Sequence, residues 1–266
     1  MGAYIVKRSR GVQFTPLLTT AQPIVICALL VGAWDGMVRW GIWDSTIVPS
    51  PLRTIDAAWE FHTTLIHDFG ITLIEVVSGF AITVCLSIFL AVIIHLYPRR
   101  TSGTYSLLVI LQAVPLWAVA PVLFYWIGPG LAARLVVIVL VAFFPVIANT
   151  VEGLRRTDSE LFDLFESMNA TARQRLMILE FPSALNMVCV GSKITLTMCL
   201  IGAVLSEMLI GDMVGLGYRI REANAHFRID LVFASIASLS LMMISLYSLL
   251  GVIVRKLQPW IVAKEK

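Results

Sequence analysis

The residues of this chain that could do chemistry are few, and none falls into a catalytic pattern. Gly191-Ser192-Lys193 lacks both the earlier glycine and the directly following lysine of a phosphate-cradling loop. Gly215-Leu216-Gly217 has no third glycine and no strand-to-helix setting, so it is not a dinucleotide fingerprint. His62, His67, His95 and His226 have no spacing that closes on zinc. Cys27, Cys85, Cys189 and Cys199 all sit in apolar runs without a CxxC pair, which suits packing better than a disulfide or metal site. No catalysis, metal or bound cofactor is expected of this chain.

What remains is polar chemistry inside apolar runs. Ser192, Lys193, Thr195, Thr197, Ser206 and Glu207 interrupt an apolar stretch beginning at Ala184. A charge at the bilayer centre costs roughly 3 kcal/mol on insertion scales and rarely faces lipid. Lys193 is roughly 13 Å along a helix from Ala184. It is equally readable as a pathway residue and as a snorkelling or paired one. Glu207 lies near the outer end of the run, where a structural or gate role fits better than solute contact. Gln112 and Pro115 are candidates for the same cavity, because a proline frees a carbonyl that a cavity can use. Asp35 and Arg39 are four apart and pair on one helix face.

These side chains need elements to carry them. With 58% hydrophobic and only 14% charged residues, the composition is that of an integral membrane protein. The apolar runs predict spans over Pro23–Trp43, Ile71–Leu96, Tyr105–Ile127, Ala132–Val151, Ala184–Ile210 and Leu231–Val254. The first lacks a small-residue cleavage site and reads as a retained span. Isolated spans must satisfy their own backbone, so all are expected to be helices. Ser50-Pro51 is a cap-and-first-position pair that starts an interfacial helix, with Ile55, Trp59 and Leu65 or Ile66 on its apolar face. Basic residues are scattered over loop positions and the net charge is +3, which argues against a nucleic-acid partner. Thirteen Lys and Arg fall on the side holding both termini and the long central loop, and five, including Arg134, on the other. That asymmetry places the termini and the loop in the cytoplasm.

The central loop, 152–183, is the longest polar stretch between apolar runs. Thr157 with Glu160 predicts a capping box, and Leu161, Leu164, Phe165 and Met168 then recur at helical spacing. Asn169 tolerates the left-handed turn that ends such a helix. Thr171 with Gln174 predicts a second cap, and its helix is expected to run to Phe181-Pro182. The result is a helix–turn–helix between two spans.

This loop resembles the cytoplasmic coupling loop of ATP-binding cassette importer permeases, in which an acidic and two small residues precede a glycine and a Leu-Pro follows. Asp163 stands at the acidic position, Asn169 at the glycine, Ala170 after it, and Phe181-Pro182 at the Leu-Pro. Asp163-Leu164-Phe165 replaces the usual Glu-Ala-Ala. The flanks Ile147–Thr150, Gly153–Arg155, Leu200–Met208 and Gly215–Tyr218 are similar to permeases of the nitrate, sulfonate and taurine type. The resemblance implies an all-α, type I importer permease of about six spans in a bacterial plasma (inner) membrane. Its parts would be a cytoplasmic tail (1–22), the permease domain (23–254) and a second cytoplasmic tail (255–266). It implies a second copy of the chain, two ATPase subunits that hold ATP and Mg, and an extracytoplasmic solute-binding protein. Leu161, Asp163, Leu164, Phe165, Glu166, Met168, Asn169 and Ala170 would meet the ATPase. The solute would be a small nitrate-, sulfonate- or taurine-like species, or, within the same family, a pyrimidine, thiamin or riboflavin precursor. A stand-alone secondary transporter or channel is the alternative of another class. It predicts inverted repeats, which the sequence does not show, and leaves the amphipathic loop without a purpose.

Overall fold

The computed structural model describes residues 16–44, 46–97, 103, 110, 116–209 and 213–257. Every regular element among these residues is helical. The chain divides into residues 1–56 and residues 57–266.

In the first unit, α1 (Pro16–Arg39) carries the expected ion pair, with Arg39 Nε 2.7 Å from Asp35. A turn with Gly41 at φ 70° follows. The Asp44 carboxylate then accepts from both the backbone and the hydroxyl of Thr46, and these bonds hold its pKa below the ordinary value. Helix α2 (Pro51–Glu60) starts at Pro51, with the Ser50 hydroxyl accepting from the Arg53 N–H at 3.3 Å, so the cap read from the sequence is present.

The second unit is built on four long helices. Helix α3 (His62–Leu96) has 35 residues, about 52 Å at the helical rise, well beyond a hydrocarbon core of about 30 Å. It absorbs the end of the expected interfacial helix: Leu65 is a buried core residue of α3, whereas Ile66 is exposed. The helix begun at Pro51 therefore stops at Glu60. After the apolar α4 (Leu116–Ile127) come α5 (Leu131–Arg155), the short loop helices α6 (Ser159–Ser167) and α7 (Ala172–Arg175), and one π-helical turn over Leu176–Glu180. Helix α8 (Phe181–Leu209) continues from that turn, and α9 (Leu216–Ala225) and α10 (Ile229–Leu257) complete the unit. Four helical stretches among the described residues are long and apolar enough to cross a membrane: His62–Leu96, Leu131–Arg155, Ala172–Leu209 and Ile229–Lys256. The expected third span is described only from Leu116 onward, apart from residues 103 and 110.

The second loop helix does not stop at Phe181-Pro182 but runs on as the span. A proline normally breaks a helix because it lacks an N–H and its ring presses on the carbonyl four residues back. Here the ladder has already slipped to the wider π register, with the Phe181 N–H on the Leu176 carbonyl. That slip absorbs the proline and keeps α7 and α8 continuous.

Helices α5 and α8 form the most extensive pair. Their approach is set by small residues, as expected where lipid supplies no drive for helix association. A Cβ on Gly191 would stand 2.8 Å from the Pro145 carbonyl oxygen, and one on Gly153 2.9 Å from Met187 Cβ. Across α3, α5 and α8 the core runs in layers, from Val76, Ile138 and Cys199 through Ala91 and Ile147 to Leu154, Leu176 and Ala184 beside the loop. Helix α10 is the least buried of the four spans.

Candidate functional site

Helix α6 is short, polar at its start and apolar along one side. Its N-cap is Asp158, whose carboxylate accepts from the Glu160 N–H at 2.9 Å. The expected Thr157–Glu160 box is absent, because the Thr157 hydroxyl instead donates to the Leu154 carbonyl at 3.0 Å. Thr157 thus closes the end of α5, and the acid one residue later takes the cap. No residue of α6 is buried. Leu161, Leu164 and Met168 are 45%, 53% and 70% exposed, and Phe165 is partly covered. Asp163 and Glu166 flank this stripe and are exposed.

The turn after α6 has the geometry its sequence predicts. Asn169 has φ 53°. Its N–H donates to the Glu166 carbonyl at 2.9 Å, and the Ala170 N–H donates to Phe165 at 3.0 Å. These two bonds are the Schellman closure, with asparagine in the place usually given to glycine. Thr171 and Gln174 then form the expected reciprocal capping box, at 3.3 Å and 2.8 Å. The turn is therefore fixed from both sides while the stripe beside it stays bare.

The pathway candidates of α8 divide between two faces. Ser192 is buried, with its hydroxyl on the Val188 carbonyl of its own helix. Lys193 is exposed, and Thr197 lies one turn further on the same face. Tyr247 of α10 joins these two, its hydroxyl 3.0 Å from the Lys193 carbonyl oxygen and 3.0 Å from Thr197 Oγ1. Glu207 is buried, 14 residues or about 21 Å further along the helix. Gln112 and Pro115 lie outside the described residues.

Glu207 belongs to a polar clasp at the end of the molecule away from α6. Its Oε1 accepts from the Thr72 hydroxyl at 2.7 Å and its Oε2 from the Gly217 N–H at 2.6 Å. The Leu216 N–H donates to Thr72 Oγ1 at 3.0 Å, and Arg219 Nε to Asp68 at 2.8 Å. Gly215, at φ 96°, lies so close that a Cβ there would collide with the Glu207 carboxyl. Further along α3, Glu75 meets Arg134 of α5, with Oε1 and Nε 3.1 Å apart and both side chains buried. Arg134, counted from the sequence among exposed loop charges, is therefore an internal one.

The sequence reading missed Asp68, Thr72, Arg134 and Arg219 as members of a cluster. A signal for α3 was present. Asp68, Thr72, Glu75, Gly79, Thr83 and Ser87 recur every three or four residues and are all buried. In a bilayer the polar stripe of a span faces protein, the reverse of a soluble helix.

A membrane-embedded helical body with an exposed amphipathic loop helix agrees with what sequence comparison finds. Residues 83–263 match the family of binding-protein-dependent transport system inner membrane components. The chain belongs to this family. The permease is similar to the formylaminopyrimidine transport permease protein ThiX of Halalkalibacterium halodurans, 32% identical over 90% of this chain and 95% of that one. It is 30% identical to the riboflavin transport system permease protein RibX of Chloroflexus aurantiacus, over 95% and 94%. To the putative aliphatic sulfonates transport permease protein SsuC of Bacillus subtilis it is 26% identical, over 89% and 86%. The permease is thus an all-α membrane protein of the ABC importer class, and its relatives are named for chemically different solutes. Permeases of this family generally work with an ATPase and a binding protein, and are typically not themselves catalytic.

Proposed function

We propose that this permease carries a small solute across the plasma membrane as one half of a homodimer, driven by two ATPase subunits that dock on α6. The observation that carries this reading is the exposed stripe of Leu161, Leu164 and Met168, with the partly covered Phe165 beside them, on an otherwise membrane-embedded chain. An apolar stripe held in water by a two-sided cap is stable only because its own turn chemistry fixes it, and it offers a cleft partner a preformed helix. Phe165 is the natural anchor, since burying a phenylalanine is worth about 1.5–3 kcal/mol. Asp163 and Glu166 would meet basic residues at a wet rim, where pairs are worth about 1 kcal/mol or less. With α6 in the cytoplasm, both termini are cytoplasmic too, and a solute-binding protein delivers cargo from outside.

Two cargo readings stand. The family resemblance of the loop and its flanks points to a sulfonate, taurine or nitrate. The higher identity to permeases named for formylaminopyrimidine and riboflavin favours a flat nitrogen heterocycle. The cheapest discriminator is the neighbouring genes, which should encode the ATPase and the binding protein. Purified binding protein is then titrated with taurine, a formylaminopyrimidine and riboflavin, and the compound it binds names the class.

The docking reading is tested by co-purifying the permease with that ATPase. Phe165→Ala should lower recovered ATPase at least tenfold while membrane insertion is unchanged, and Phe165→Leu should be milder. An alanine variant that retains wild-type ATPase and wild-type solute-stimulated hydrolysis would show that α6 packs only on its own membrane domain.

A further inference from the structure

Behind the bare stripe, the loop is tied to the spans by a chain of side chains. The Arg175 guanidinium lies 4.1 Å from the ring centroid of Phe162, on a face of α6 other than the docking stripe. Arg175 Nε donates to Glu180 Oε1 at 2.9 Å. His95 Nε2 donates to Glu180 Oε2, also at 2.9 Å. Glu180 is 1% exposed and closes the π-helical turn, and His95 lies in the last turn of α3. Around this carboxylate, Leu176 packs with Leu154 and Ala184, against Val92 and Leu96 of α3.

We infer that Glu180 is the joint that carries displacement of α6 into α3, a positioning residue for coupling; the inference rests on the docking reading above. A buried carboxylate held by a guanidinium and an imidazole cannot release either without being stranded in a dry site. When α6 moves, Arg175 follows the Phe162 ring, Glu180 follows Arg175, and His95 takes the end of α3 with it. The π turn supplies the give. Its wide, poorly aligned bonds convert to α geometry by shifting one residue, which re-aims Glu180 without unwinding the span. The arrangement thus has a linkage and a hinge at one place, which an ordinary helix end lacks.

The test uses the full permease co-purified with its ATPase in lipid, with Cys27, Cys85, Cys189 and Cys199 replaced by serine or alanine. Spin labels at Tyr97→Cys and Ile253→Cys report the separation of the loop-side ends of α3 and α10, with and without ATP plus vanadate. In the parent chain trapping should shift this distance. Glu180→Gln should reduce the shift by at least half while ATPase recovery stays within twofold of the parent. Arg175→Met, at a partly exposed side chain, should do the same and serves if the buried substitution impairs folding. A full shift in either stable variant, or no shift in the parent with ATPase bound, overturns the joint and leaves docking on α6 intact. If Phe165→Ala keeps its ATPase, the docking reading itself fails, and the joint with it.

Discussion

The two ends of the permease each bury a glutamate on the α7–α8 stretch, and they hold it in opposite ways. Glu207 is gripped by one backbone N–H, of Gly217, and by the short Thr72 hydroxyl. Nothing in that grip is long or rotatable, and Gly215 and Gly217 leave no space beside it. Glu180 is gripped by two long or rotatable side chains, Arg175 and His95, next to an irregular helical turn. The first arrangement fixes the start of α9 in one geometry. The second keeps its contacts while its elements shift. The same residue type therefore serves as a clasp or as a joint according to the stiffness of its partners.

The comparison makes the far end the costly place to mutate. Arg134→Met removes the guanidinium from the Glu75 carboxylate inside the α3–α5 contact, and breaking a buried pair from one side costs about 3–5 kcal/mol. The expected outcome is a large fall in thermal stability in detergent, read by size-exclusion profile after heating. Gly217→Ala comes next. Its Cβ would lie 2.5 Å from the Val204 carbonyl oxygen and 2.9 Å from Glu207 Oε2, and overpacking of this kind costs about 1–3 kcal/mol. The same heating assay should place it below wild type and above Arg134→Met. A Gly217→Ala protein as stable as wild type would show that the clasp yields and would remove the contrast.

At the loop end the expected effects on stability are smaller and those on coupling larger. Asn169→Val forces a β-branched residue to φ near 53°, at a cost of roughly 1–2 kcal/mol, confined to the turn. It should leave heating profiles near wild type but reduce ATPase recovery, because α6 is no longer held in place. Thr171→Ala removes one side of the capping box, worth about 1 kcal/mol, and should weaken recovery less. Asn169→Gly is the smallest change and should be silent in both assays, since glycine accepts the same φ. A valine variant with full ATPase recovery would mean the docked loop does not need this turn.

The contrast also shows how much could be read from the chain alone. The turn at Asn169 and the Thr171–Gln174 box were legible, because both are decided by bonds spanning two to five residues. So was the α2 cap at Ser50. The α6 cap was misplaced by one residue, from Thr157 to Asp158, because both are good caps and only the end of α5 decides which hydroxyl or carboxylate is free. Lys193, Thr197 and Glu207 share one apolar run and nearly one helix face, but Glu207 lies 14 residues, about 21 Å at the helical rise, beyond Lys193, where Thr72 and Gly217 cover it.

The sequence by itself determined the class of the molecule. Its apolar runs require membrane helices, since a bilayer leaves no other way to satisfy an isolated backbone, and its loop residues set a capped helix with an apolar stripe, whose exposure only the structure shows. Only the tertiary structure decided which charges meet. Asp68 finds Arg219, Glu75 finds Arg134 and His95 finds Glu180 on helices far apart in the chain. Those pairings depend on the rotation and depth at which two helices pack, which Gly153, Gly191 and Gly202 set through close backbone approach. Local sequence carries no record of that phase. It also could not show that a π turn would carry α7 past Pro182, because the slip is held by the packing of Leu176 and Leu179 and by Arg175 and His95 on Glu180.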